Sequence, residues 1–144
     1  MIGLVLAGAL FSMIGCGGGD STVGNDEYNQ QLRLVCNKGL QEREELVNAI
    51  NKDYEENQEQ KATTAYQIEN LRKLIAVYQG TTEGIADIGL PEERAARAEE
   101  MVEAREDAAA KVDGDPLGTR DSLEAVFKKA NQLASDLDAP SCAF

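Results

Sequence analysis

From Tyr28 to Leu137 the apolar residues recur at steps of three and four, and no stretch alternates strictly between polar and apolar. An α-helix turns once in about 3.6 residues, so this spacing gathers side chains on one face, whereas a strand would need alternation. Four such stripes follow one another. The first carries Tyr28, Leu32, Val35, Cys36, Leu40, Leu46, Val47, Ile50 and Tyr54, with Gly39 inside it at a point that allows a neighbour to approach closely. The second carries Ala65, Ile68, Leu71, Leu74, Ile75, Tyr78, Ile85 and Ile88. The third carries Ala95, Ala98, Met101, Val102, Ala109 and Val112; the fourth carries Leu123, Val126, Phe127, Ala130, Leu133, Ala134 and Leu137. The expectation is an all-α domain.

The breaks are less plain than the stripes. A single helix over residues 26–79 would be about 80 Å long, too long for the remainder to cover, so a turn is expected within 56–63. Thr64-x-x-Gln67 has the form of a capping box and offers a restart. The second helix is expected to continue past Gly80 to about residue 87, with Gly89 as its stop. Pro91 then opens the third helix, with Glu92 and Glu93 at its positive end. The segment "DGDPLG", 113–118, reads as a loop, Thr119 or Asp121 as the cap of the fourth helix, and Pro140 as its end. Four amphipathic helices with mostly short connections favour an antiparallel four-helix bundle in up-down-up-down order.

Residues 1–15 are of a different kind. They contain no charged side chain, and Ile2–Ile14 are apolar or small. Fifteen helical residues rise about 22 Å, short of the roughly 30 Å hydrocarbon core, so an export signal fits better than a membrane span. The run closes on Met13-Ile14-Gly15-Cys16, which resembles the lipobox of bacterial lipoproteins. The resemblance implies diacylglyceryl transfer to the Cys16 thiol and cleavage before it. An ordinary secretory signal with an incidental cysteine is the alternative. After Cys16 comes "GGGDSTVGN", with four glycines and no periodicity, which reads as a tether. The expected layout is a lipoprotein signal peptide over 1–15, a Gly-rich tether over 16–25 and the helical bundle domain over 26–144.

Lipidation of Cys16 also resolves an odd cysteine count. Of three cysteines it leaves Cys36 and Cys142, which outside the cytoplasm are free to form a disulfide. Up-down-up-down order brings the end of the fourth helix beside the start of the first, where such a bond needs its partners to be. A Tyr and a Cys early in the first helix, Leu90-Pro91 before the third and the closing "DAPSCAF" are similar to a set of small helical lipoproteins of actinobacteria, with Ser141 in a position that is acidic in that set. This resemblance implies the fold and the cellular address and carries no established activity.

Chemistry is sparsely signalled. The chain has no histidine, the commonest general base and metal ligand, and no tryptophan. A net charge of −12 disfavours nucleic acid and anionic lipid surfaces. The paired carboxylates Glu44/Glu45, Glu55/Glu56, Glu92/Glu93 and Glu99/Glu100 read as solvated helix faces, and Asp113-Gly-Asp115 as a turn that lacks the spacing of a calcium loop. Glu69/Lys73 and Glu93/Arg97 stand at the i,i+4 spacing of helix-surface ion pairs. No catalytic residue, cofactor or metal is expected. The chain reads as a non-catalytic lipoprotein, anchored to the bacterial cell membrane through Cys16 and facing outside the cytoplasm, whose bundle engages an envelope protein. A bundle that holds a small apolar ligand between its helices is the alternative.

Overall fold

The computed structural model describes residues 22–56 and 63–144. The expected signal segment 1–15, Cys16, the tether as far as residue 21 and positions 57–62 of the expected turn lie outside them. Four main helices pack antiparallel: α1 (Asn25–Glu56) on α2 (Thr64–Ala86), α2 on α3 (Ala95–Gly114), and α3 on α5 (Leu123–Asp136). A five-residue helix, α4 (Pro116–Arg120), joins α3 to α5. A short 3₁₀ turn, Pro140–Cys142, lies against both α1 and α5 and bridges the fourth edge of the bundle. No described helix is long and apolar enough to cross a membrane.

Most of each stripe is buried, with Ala65 of the second exposed and Ile68 and Leu74 half-buried. Near the start of α1, Tyr28, Leu32 and Cys36 meet Ile85, Met101, Leu133 and Leu137 in one cluster. Further along the bundle Leu71, Ile75 and Tyr78 meet Ala108, Val112 and Phe127 in a second. The alanines of α3 let its neighbours come close, and Gly39 does the same for α1, since a Cβ built there would collide with the Thr81 side chain of α2.

The second half of α1 departs from expectation. Val47 and Tyr54 are 37% and 46% exposed, and Leu46 and Ile50 are only half-buried. The reason is length. With 32 residues α1 is about 48 Å long, while the 14 residues of α5 span about 21 Å. Beyond the reach of α5 and the C-terminal turn, α2 is the main helix packed against α1.

Three boundaries also differ. Thr63, rather than Thr64, caps α2 by accepting a hydrogen bond from the Tyr66 amide at 3.4 Å, and Gln67 bonds Arg120 at 2.6 Å instead of closing a capping box. The third helix starts at Ala95, so Pro91, Glu92 and Glu93 lie before it. Leu90–Pro91 form strand β2, which pairs in parallel with β1 (Thr22–Val23). The Glu92 amide donates to Val23 O at 3.0 Å and the Glu93 amide to Asn25 Oδ1 at 2.9 Å, which holds this segment extended. Arg94 then enters α3 at φ 63°, and its guanidinium donates to Asp136 O at the end of α5. Finally, the expected 113–118 loop is helical from Pro116. Asp115 caps α4 by accepting from the Gly118 amide at 2.9 Å, and Ser122 rather than Thr119 or Asp121 precedes α5. Gly89, the expected stop of α2, has the positive φ of 85° that suits glycine.

Candidate functional site

The most unusual chemistry among the described residues lies in the interior, where α3 places a charge on its buried face. Arg105 falls four residues after Met101 and three before Ala108, in phase with the apolar stripe, and is 1% exposed. An arginine keeps its charge in such a place, and burial costs free energy that only well-made contacts offset. Its Nε donates to Thr82 Oγ1 at 2.9 Å, its Nη2 to Tyr78 O at 3.4 Å and its Nη1 to Cys142 O. The guanidinium carbon stands 3.8 Å from the centroid of the Tyr78 ring, a cation–π contact. Thr82 is itself fixed, because its hydroxyl donates to Tyr78 O at 2.9 Å. Every acceptor is neutral, and burial pulls the Arg105 pKa below the ordinary arginine value.

The Cys142 carbonyl belongs to a C-terminal tail that all four main helices hold. From α1, Cys36 forms the disulfide with Cys142, and Arg43 Nη1 donates to Ala143 O at 3.3 Å. From α5, Asn131 Oδ1 accepts from the Phe144 amide at 2.8 Å, and the Phe127 ring stacks on Phe144 with centroids 4.0 Å apart. From α2, the Tyr78 ring meets Phe127 and Phe144 edge-on at 4.8 and 5.4 Å. Arg105 completes the clasp from α3. The Tyr78 hydroxyl is buried without a hydrogen-bond partner, and burial pushes its pKa up to about 12. Such a phenol holds its proton at neutral pH and the arginine keeps its own, so neither offers acid–base catalysis there.

Beside the clasp a crevice of about 20 Å³ runs between α1 and α2. Arg43, Thr81, Arg105 and Ser141 line it, with Gly39, Leu40 and Val77 among its apolar walls. It has room for about one water-sized guest. Roomier hollows, of about 640 Å³ beside Ile68 and Arg72 and about 620 Å³ beside Arg94 and Arg97, are shallow and open to solvent.

The residues expected from sequence fall as follows. Cys36 and Cys142 are joined, both buried, with Cα atoms 4.8 Å apart. Cys16 lies outside the described residues. Glu44, Glu45, Glu55, Glu56, Glu92, Glu93 and Glu99 are exposed. Glu100 bonds Lys129 and Arg97, which hold its carboxyl below the usual range. Glu69 pairs with Lys73 at 2.7 Å, whereas Arg97 pairs with Glu100 and Asp136. Asp113-Gly114, expected as part of a turn, are instead the last residues of α3; Asp113 pairs with Arg72 at 3.7 Å, and Asp115 serves as a helix cap. Among the described residues no carboxylate is buried, and no three of His, Cys, Asp and Glu cluster as metal ligands would. Tyr66 is half-buried, and its hydroxyl donates to Asp53 Oδ2 at 3.1 Å.

Arg105 and the docking of Phe144 escaped the sequence reading. The usable signal was a lone arginine in phase with an otherwise apolar stripe, which in a folded chain has to find acceptors. Against known proteins, the chain matches no family model, no curated protein and no solved structure.

Proposed function

We propose that the protein is a membrane-anchored, extracytoplasmic lipoprotein of the bacterial cell envelope, non-catalytic, whose helical bundle engages another envelope protein. The observation that carries this reading is the buried Cys36–Cys142 disulfide. Such bonds persist in oxidising compartments outside the cytoplasm and are rare inside it. The bond uses two of the three cysteines and leaves Cys16, in its lipobox-like setting, for the lipid.

The β1–β2 pair supports an orientation. It fixes Thr22 and Val23 at the end of the bundle where α1 begins. Thr22 lies six residues beyond Cys16, a reach of at most about 20 Å. That end of the bundle faces the bilayer, and the far end of α1, with Val47 and Tyr54 exposed, stands away from it and is offered to the partner.

The deciding experiment is mass spectrometry of the mature N-terminus together with membrane fractionation. The expected product begins at an acylated Cys16 and sediments with membranes, and Cys16→Ser abolishes both. An unmodified N-terminus on the exported protein overturns the proposal.

A further inference from the structure

The crevice beside the clasp combines features that a packing defect would not. Two arginines line it, and neither has a carboxylate partner among the described residues. By contrast, Arg72, Arg94, Arg97 and Arg120 each lie within 4 Å of a carboxylate. Arg33 also has no such pair among the described residues, but it is exposed, so water compensates its charge as it cannot for Arg105. Buried charges are ordinarily paired, and Arg105 is 1% exposed. A guanidinium has five N–H donors. Arg105 places three of them on neutral oxygens, which satisfies hydrogen bonding and leaves its charge uncompensated. Arg43 adds a second positive charge, which rests on the Ala143 carbonyl and faces the Phe144 ring at 5.9 Å. Ser141 supplies a hydroxyl to the same walls, whereas that of Thr81 already donates to Val77 O at 2.9 Å.

We propose that this crevice binds one small monovalent anion of the halide class, held between Arg43 and Arg105 with help from the Ser141 hydroxyl. The size of the space sets the class. About 20 Å³ matches a monatomic ion or a single water. The charge of the two guanidinium groups sets the sign and favours a halide over water. The proposal stands independently of the lipid anchor and of any protein partner.

The test uses the full-length chain. Thermal midpoints are measured in sodium chloride, bromide and gluconate at one ionic strength, and bromide-grown crystals are examined at the bromine absorption edge. Chloride and bromide are expected to raise the midpoint above gluconate in a saturable way, with an anomalous peak in the crevice. Arg43→Gln, whose amide can still donate to Ala143 O, should weaken the halide effect about tenfold by removing one charged contact, with its gluconate midpoint as the reference for its own fold. Arg33→Gln, an exposed change outside the crevice, should leave it unaltered. Coincident midpoints in the three salts, or density for water only, overturn the proposal. So does a bromide peak whose saturation Arg43→Gln does not change, which marks an adventitious ion only.

Discussion

Reduction of the Cys36–Cys142 bond is the perturbation whose size the structure defines best. The cysteines are 106 residues apart, so the bond closes most of the folded chain into one loop. The chain-entropy relation for a loop of that length gives about 5 kcal/mol. Cutting the bond frees the unfolded chain more than it disturbs the folded one. Two thiols remain buried as small apolar groups, and Arg105, Arg43 and Asn131 still hold the tail. The reduced protein is therefore expected to stay helical in dilute buffer but to unfold earlier. With a urea slope of about 2 kcal/mol per molar, the midpoint falls by about 2–2.5 M. The assay is urea unfolding followed by circular dichroism, with and without a phosphine reductant. The Cys36→Ala/Cys142→Ala double variant should coincide with the reduced wild type and ignore the reductant. A shift below about 0.5 M, equivalent to roughly 1 kcal/mol, refutes the reasoning, because the loop would then not be what the bond constrains.

Three further outcomes follow from the clasp and the core. Arg105→Met removes a buried charge but strands the Cys142 carbonyl, while Tyr78 O keeps the Thr82 hydroxyl, and is expected to destabilise by about 1–3 kcal/mol in the same urea assay. Tyr78 ionises at about 10 in the unfolded chain and at about 12 in the fold, so the unfolded chain gives up a proton first. Stability is therefore intact below pH 10 and falls as pH rises between these values, by up to about 2–3 kcal/mol. Tyr78→Phe, which also deletes an unpartnered hydroxyl, should remove that loss in alkaline unfolding curves and leave neutral-pH stability equal or higher. Gly39→Ala drives a methyl into Thr81, whose hydroxyl already bonds Val77 O at 2.9 Å, and should cost about 1–3 kcal/mol by thermal melting, with Thr81→Ala restoring most of it.

Most of the helical architecture was legible because helix burial is periodic and the periodicity is written locally. Tyr28, Leu32 and Cys36 announce their face without reference to anything distant. What the sequence hid depends on partners far along the chain. Pro91 with Glu92 and Glu93 has the composition of a helix start, yet Asn25, 68 residues away, holds that segment extended. Val47 and Tyr54 continue the stripe of α1 faithfully. Whether a stripe is covered depends on how far α5 reaches, and spacing does not encode that. Arg105 lies in the buried phase, but its partners are a hydroxyl and carbonyls 23 to 37 residues distant, none marked by composition. The site was therefore only half visible: its cysteines could be paired by counting, and its arginine could not.

The β1–β2 pair and the disulfide have a mechanical consequence. A load applied to the chain ahead of Thr22 first meets the short parallel pair of Thr22–Val23 with Leu90–Pro91. Once that pair and the first turns of α1 give way, the chain can lengthen only as far as Cys36, 14 residues beyond Thr22, or about 50 Å when fully drawn out. At Cys36 the tension divides, one share continuing along α1 and the other crossing the disulfide into the tail. A partner gripping the far end of α1 would thus pull against a closed loop anchored by two chain segments, and a tug that frays the foot of the domain leaves its core threaded and intact.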